Sequence, residues 1–170
     1  MTENNELEAE QDSHQKILVA DDEASIRRIL EARLSMIGYD IVTATDGEEA
    51  ITAFNKHNPD LVVLDVMMPK LDGIKTLIKL RESKNIPVIL LSAKSEDTDK
   101  IFGLAAGADD YINKPIKMNI LRSRVQAILK RIVLTESSQE ITIDTEHHLV
   151  RKGDQTIILP RKEFALLHLL

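Results

Sequence analysis

Short apolar runs that alternate with helical patterns constrain the fold of this chain more than any other feature of the sequence. Residues 61–64 (LVVL) and 87–91 (PVILL) are apolar and contain β-branched side chains, which is typical of strands buried on both faces of a parallel sheet. Between such runs, apolar residues recur at helical spacing, as from Ile26 to Ile37, where Gly38 ends the pattern. This alternation favours a parallel sheet covered by helices on both faces.

The pattern predicts an α/β fold with a five-stranded, doubly wound parallel sheet. The predicted strands are Lys16–Ala20, Tyr39–Thr43, Leu61–Leu64 (ending at Asp65), Pro87–Leu91 and Asp110–Ile112. The predicted helices run from Ile26 to Ile37, from Asp46–Gly47 to a break at Asn58–Pro59, from Leu71 to Arg81, from Glu96 to Ala106 and from Lys117 to Arg131.

The sequence outside this alternation divides into three further segments. Residues 1–14 are acidic and polar without an apolar period, so we predict a disordered tail before a domain at 15–132. Residues 133–139 form a predicted polar linker. Residues 140–170 predict a small antiparallel sheet, then a helix from Pro160 whose apolar face has no visible partner, as in a domain cut off after it begins.

Composition excludes several classes of protein. The chain has no cysteine, which rules out disulfides and thiolate metal sites. It has no apolar stretch of membrane-spanning length and no signal-peptide pattern, so we expect a cytoplasmic protein that does not bind a membrane. Residues 1–115 hold 13 Lys/Arg against 22 Asp/Glu, whereas residues 116–170 hold 9 against 6. The first part would repel nucleic acid and the last part is mildly compatible with it.

Polar residues stand at the carboxyl ends of four predicted strands, where ligands bind in sheets of this kind. They are Asp21 and Asp22 after the first strand, Asp65 after the third, Ser92 after the fourth and Lys114 after the fifth. Three clustered carboxylates repel one another unless a cation joins them, and oxygen ligands suit Mg²⁺. Asp65, on the central strand, would then be the nucleophile toward a phosphoryl group, with Mg²⁺, Lys114 and the Ser92 hydroxyl holding its oxygens.

Each of these residues taken alone has a simpler interpretation. Asp21 and Asp22 could cap the following helix, and Asp65 could bond loop amides. Ser92 could be a turn hydroxyl, and Lys114 a solvated loop lysine. Tyr111 could be a core aromatic whose hydroxyl reaches the surface. The joint arrangement at one edge favours the site over these separate interpretations.

The set of motifs resembles the receiver domain of bacterial two-component response regulators, in particular the OmpR/PhoB (winged-helix) subfamily, over residues 16–131. The resemblance rests on Asp21-Asp22, Asp65-Val-Met-Met-Pro-x-Leu-Asp-Gly, Leu-Ser92-Ala and Gly-Ala-Asp-Asp-Tyr111-Ile-Asn-Lys114-Pro. It implies that Asp65 accepts phosphate from a sensor histidine kinase and that Lys114 bonds the phosphoryl group.

The same resemblance implies roles for the neighbouring residues. Asp22, Asp65 and the Met67 carbonyl would hold Mg²⁺, with Asp21 acting through water. Ser92 and Tyr111 would be a switch pair that reorients on phosphorylation. The peptide bond between Lys114 and Pro115 would be cis, which proline permits.

Residues 140–170 resemble the start of the subfamily's winged-helix effector domain, without its recognition helix. The resemblance implies a transcriptional regulator truncated in that domain, so DNA binding is expected only of the full-length protein. At the helix start, Pro160 replaces the family's capping Thr, at a cost of about 1 kcal/mol. Ile116 replaces the aromatic residue that usually follows the Lys-Pro pair.

The subfamily's dimer face would use three charge pairs across a two-fold axis. Asp110 with Arg124 and Asp109 with Arg131 match two of them. The third would join Lys100 to an acid, but this chain has Ile120 there, which predicts a weaker phosphorylated dimer.

Three other classes of protein could have the same fold. A stand-alone receiver would signal through protein contacts, but it would lack the sheet predicted after Glu140. A phosphohydrolase with an aspartyl-phosphate intermediate needs a general acid where Met67 stands, so we expect no enzyme beyond self-phosphorylation from small donors and autodephosphorylation. A flavin- or nucleotide-binding protein would need a Gly-rich loop after the first strand, which this sequence lacks.

Overall fold

The computed structural model describes residues 14–93, 104, 106–139, 141–144, 149–152 and 155–158. Its main sheet is parallel with strand order β2-β1-β3-β4-β5, so the predicted five-stranded sheet is confirmed. The strands are β1 (Lys16–Ala20), β2 (Asp40–Ala44), β3 (Leu61–Asp65), β4 (Val88–Ala93) and β5 (Asp110–Lys114). Reversal of the strand order at β1 and β3 opens a crevice at their carboxyl ends.

Four helices accompany the sheet in the described part of the chain. They are α1 (Ala24–Met36), α2 (Gly47–His57), α3 (Gly73–Ser83) and α4 (Met118–Gln139). Asp46 caps α2 by accepting the Glu49 N–H at 2.8 Å, and Asp72 caps α3 by accepting the Lys75 N–H at 2.8 Å. The Asp72 cap explains why α3 begins two residues after the predicted Leu71. The helix predicted at 96–106 lies outside the described residues, apart from single positions.

The core is aliphatic and centres on β3, all of whose residues are buried. The β3 residues Val62 and Leu64 pack with Leu77 and Leu80 of α3 in one cluster. Burial of such a side chain stabilises the fold by about 1.5–3 kcal/mol. Protein interiors are close-packed, so the buried end of β3 is a rigid support for Asp65.

Two strands and one helix are longer than the sequence predicts. β4 runs to Ala93 and β5 to Lys114, because the pairs Ser92–Asn113 and Ala93–Lys114 continue the ladder. α4 continues through residues 133–139, the predicted linker. Those residues include no Pro or Gly that would stop a helix.

The chain divides into two compact units within α4, between Val125 and Gln126.

A second, three-stranded sheet follows α4 and is antiparallel with order β6-β7-β8. Its strands are β6 (Ile141–Asp144), β7 (Leu149–Lys152) and β8 (Gln155–Ile158), with Ile143 opposite Val150. The predicted antiparallel sheet is therefore present. Residues 1–13 of the predicted tail at 1–14 lie outside the described residues. The helix predicted from Pro160 also lies outside them, so the winged-helix assignment stays a prediction.

Candidate functional site

The predicted acidic cluster forms at the carboxyl edge of the parallel sheet. One carboxylate oxygen from each of Asp21, Asp22 and Asp65 lies within 4.8 Å of the other two. Asp21 and Asp22 follow β1, and Asp65 is the last residue of β3, the neighbouring strand. Asp21 and Asp65 are buried whereas Asp22 is exposed, so solvent reaches the cluster from one side.

The backbone around Asp65 is held closely on both sides. The Val66 N–H donates to the Leu91 carbonyl at 2.8 Å, and the Gly73 N–H donates to the Val66 carbonyl at 2.9 Å. A Cβ atom at Gly73 would lie 2.2 Å from the carbonyl oxygen of Asp65, so only glycine fits there. The turn after β3 thus returns tightly over the strand end and sets the direction of the Asp65 side chain.

Lys114 supplies the positive charge of the site. Its Nζ lies 3.0 Å from Oδ2 of Asp21 and 3.3 Å from Oδ1 of Asp65. Glu23 is a third partner, with Oε1 at 3.8 Å. Lys114 is thus a partly buried strand residue rather than a solvated loop lysine. Its peptide bond to Pro115 is cis, as the resemblance implies.

Burial and charge shift the pKa values of this pair. Burial, followed by the charge of Asp21, raises the pKa of Asp65 to about 7, against the opposing effects of Lys114 and the Met67 N–H. Burial alone would lower the pKa of Lys114, but the hydrogen bond with Asp21 and the charge of Asp65 raise it.

Asp21 does not cap α1, because Glu23 is the N-cap residue of that helix. Oδ1 of Asp21 instead accepts the Glu23 N–H at 2.9 Å, and Oδ2 faces Lys114. The capping interpretation is therefore wrong for Asp21. Oxygen-only donors, of which one is open to solvent, are the ligand set that suits a partly hydrated Mg²⁺. The residues present fit that ion.

The predicted switch residues lie on β4 and β5. Ser92 is 1% exposed and its Oγ donates to the Ala93 carbonyl at 3.3 Å, so it is a buried strand hydroxyl rather than a turn hydroxyl. The ring of Tyr111 packs against the core and its hydroxyl oxygen is buried. The interpretation that placed this hydroxyl at the surface is wrong. The reorientation of Ser92 and Tyr111 on phosphorylation stays a prediction.

The acids of the predicted dimer face already have partners within the chain. Arg124 donates to Asp110 at 3.0 Å. Oδ2 of Asp109 accepts both the Arg81 guanidinium at 3.0 Å and the Val88 N–H at 2.8 Å. Arg81 was not predicted, because its role depends on the distance between α3 and β5 rather than on a motif. Lys100 lies outside the described residues, and Ile120 is 39% exposed.

Sequence reasoning also missed Arg27, whose Nη1 donates to the Asp21 carbonyl at 2.7 Å. The available signal was its position four residues after Glu23, on the helix turn that begins beside the site.

Among the described residues, no helix is long and apolar enough to cross a membrane.

Residues 17–126 match the family model described as the response regulator receiver domain. A probable transcriptional regulator, ycf27, of Porphyridium aerugineum is 47% identical over 167 residues, covering 92% of this chain and 70% of the relative. The alkaline phosphatase synthesis transcriptional regulatory protein PhoP of Bacillus subtilis is 45% identical over 146 residues, covering 85% and 61%.

A solved structure shows the same fold. The receiver domain of the Francisella response regulator 1452 superposes with a TM-score of 0.66 at 42% identity. The superposition covers 70% of this chain and 99% of that domain.

Proposed function

Because the chain belongs to the response regulator receiver family, we propose that it is a phosphorylation-dependent regulator whose Asp65 accepts a phosphoryl group from a sensor histidine kinase. One observation carries the proposal. The Asp65 carboxylate is buried at the end of the central strand, within ion-pair distance of Lys114 and beside the carboxylates of Asp21 and Asp22. Such a carboxylate can act as a nucleophile once its proton is removed.

The transfer forms one bond and breaks one. An oxygen of Asp65 bonds to phosphorus, while the bond from phosphorus to the histidine nitrogen of the kinase breaks, and that nitrogen keeps the electron pair. Asp65 must be ionised for this step, and Lys114 and the Met67 N–H favour its ionised form. Asp22, Asp65 and the Met67 carbonyl would hold Mg²⁺, with Asp21 acting through water. The ion would neutralise charge on a phosphoryl oxygen.

Lys114 and Ser92 would bind the other phosphoryl oxygens. The Lys114 ammonium is 3.3 Å from Asp65 and can turn from that carboxylate to its phosphate. Ser92 lies on the strand beside Asp65, and its hydroxyl would leave the Ala93 carbonyl for the phosphoryl group. Movement of Ser92 would be coupled to Tyr111 on the adjacent strand β5.

The surface around the site supports docking of a protein partner. An apolar cleft of about 180 Å³ lies next to Lys114, between α1 and the start of α4. Ile26, Ile29 and Met118 line it. A kinase domain that buried these side chains would bring its phosphohistidine to the edge that carries Asp65.

Phosphorylation would act through a homodimer that controls transcription, with DNA bound by the winged-helix domain to which residues 140–170 contribute. The three-stranded sheet and the transcriptional regulators among the relatives support this over a stand-alone receiver. The chain would not be an enzyme beyond its own phosphorylation and dephosphorylation, since Met67 stands where a phosphohydrolase needs a general acid.

Sedimentation of the chain with Mg²⁺ and a small-molecule phosphodonor tests the switch. We expect a monomer without donor and a dimer with it, whereas Asp65→Asn remains a monomer under both conditions. A variant that still dimerised on addition of donor would contradict the link between Asp65 and dimerisation. A wild-type chain that is phosphorylated but stays monomeric would favour the stand-alone receiver.

A further inference from the structure

Arg27 makes an unusual contact across the first turn of α1. Its side chain reaches back six residues, and Nη1 donates to the backbone carbonyl of Asp21 at 2.7 Å. The side chain is partly buried, and a charged donor makes a shorter and stronger hydrogen bond than a neutral one. The backbone N–H of Arg27 also donates to the Glu23 carbonyl at 3.1 Å, so this residue is anchored on the turn that it contacts.

This bond completes the set of partners around Asp21. The Asp21 N–H donates to the Ala44 carbonyl at 3.2 Å. Oδ1 accepts the Glu23 N–H and Oδ2 faces the Lys114 ammonium. The carbonyl accepts Arg27. The backbone atoms and Oδ1 of Asp21 therefore have hydrogen-bond partners, Oδ2 has an ion-pair partner, and Arg27 supplies the partner of the backbone carbonyl.

The carbonyl that Arg27 holds belongs to the peptide unit that joins Asp21 to Asp22. A peptide unit is planar, so fixing its oxygen also fixes the direction in which the chain enters Asp22. The Asp22 side chain is exposed, so burial does not fix its direction over the site. Its approach to the carboxylates of Asp21 and Asp65 thus depends on the orientation of its own backbone.

We propose that Arg27 is a positioning residue for the metal site, which acts through the Asp21–Asp22 peptide unit to hold the Asp22 carboxylate in its ligating direction. This role rests on the proposed function, since it concerns the Mg²⁺ that would serve phosphorylation. The Arg27 charge also favours the ionised form of Glu49 on α2, whose pKa is lowered chiefly by its hydrogen bonds from Thr45.

Electrostatics alone predicts the opposite effect of Arg27 on the metal. A guanidinium near three carboxylates repels a cation, so removing its charge would tighten Mg²⁺ binding. Loss of positioning weakens Mg²⁺ binding instead, because residues that orient metal ligands contribute roughly tenfold or more to affinity. The direction of the change in Mg²⁺ affinity therefore separates the two roles.

The test is calorimetric titration of the full chain with Mg²⁺ alone, in wild type, Arg27→Gln, Arg27→Lys and the control Arg28→Gln. The control removes the same charge from the next, exposed residue of the same helix. We expect the Mg²⁺ Kd to rise roughly tenfold in Arg27→Gln and less in Arg27→Lys. We expect it to stay unchanged or fall slightly in Arg28→Gln.

Unchanged or tighter Mg²⁺ binding by folded Arg27→Gln would overturn the inference while leaving the proposed function intact. If Arg27→Gln proves unfolded, Arg27→Lys gives the same decision, because it keeps the charge but changes the donor geometry. Phosphorylation of Asp65 by a small-molecule donor should recover in Arg27→Gln at saturating Mg²⁺, which a general folding defect would not allow. A wild-type chain that bound no Mg²⁺ would overturn both the inference and the proposed metal site.

Discussion

The Nζ atom of Lys114 lies 3.3 Å from Oδ1 of Asp65, although the two residues end strands on opposite sides of β4. The ion pair spans the intervening strand and offsets part of the penalty for burying the Asp65 carboxylate. A phosphoryl group on Asp65 would carry negative charge to the same ammonium. Phosphorylation would therefore strengthen an ion pair that already exists between Lys114 and Asp65 in the unphosphorylated chain.

The Asp65→Asn variant should be more stable than wild type above neutral pH in the absence of Mg²⁺. The folded-state pKa of Asp65 is about 7, whereas the ordinary value is 3.8. Between these values the folded chain binds more protons than the unfolded chain, so the contribution of Asp65 to stability falls as pH rises from about 4 to about 7.

The difference in free energy of unfolding between Asp65→Asn and wild type should approach zero at pH 4 and reach up to about 4 kcal/mol at pH 8. This difference is measured by urea unfolding at several pH values in the presence of a chelator. A constant difference across this range would show that the pKa of Asp65 is not raised.

Lys114→Met should slow phosphorylation from a small-molecule donor by roughly 100-fold, since loss of one well-placed donor to developing charge has effects of that size. Lys117→Met is the matched control, because Lys117 is exposed and lies three residues away in the chain, and its substitution removes the same charge. The rate is followed by intact mass at saturating Mg²⁺. Equal rates in the two variants would exclude a specific role for Lys114.

Gly73→Ala should lower the free energy of unfolding by about 3 kcal/mol. The added Cβ would meet the Asp65 carbonyl oxygen at 2.2 Å, and backbone atoms cannot move aside as a flexible side chain can. Gly38→Ala is the control, because its φ of +100° is unfavourable but open space surrounds it. Its expected effect is about 1 kcal/mol. Urea denaturation should rank the two variants in this order, and the reverse order would contradict the packing at Asp65.

Arg81→Gln should destabilise the chain more than Arg124→Gln. Arg81 donates to the carbonyls of Ile86 and Gly107 and to the Asp109 carboxylate, so it joins α3 to the residues just before β4 and to those just before β5. We expect a loss of about 2 kcal/mol for Arg81→Gln and below about 1 kcal/mol for the exposed Arg124 pair. Thermal unfolding of both variants provides the measurement. Similar losses would mean that the Arg81 contacts carry no more energy than a surface ion pair.

The sheet and the acidic cluster could be predicted from sequence because both depend on local pattern. β1 has the predicted bounds, Lys16–Ala20, since five residues of strand character end at a pair of acids. Asp21, Asp65 and Lys114 meet because the carboxyl ends of parallel strands share one edge. The cis bond before Pro115 followed from the family resemblance.

The remaining features depend on contacts between segments that no local pattern records. Ser92 and Lys114 are strand residues because the pairing between β4 and β5 continues through Ser92–Asn113 and Ala93–Lys114. Asp109 was assigned to an interchain pair, whereas the position of α3 brings Arg81 to it within the chain. Arg27 was missed because its partner is a backbone carbonyl, and sequence motifs describe side chains.

Intact mass after incubation with Mg²⁺ and acetyl phosphate, with Asp65→Asn alongside, tests the central claim most directly. Transfer would break the bond between phosphorus and the acetate oxygen and form one to Asp65. We predict a gain of one phosphoryl group in wild type and none in the variant. No gain in wild type, or an equal gain in Asp65→Asn, would contradict the assignment of Asp65 as the phosphoacceptor.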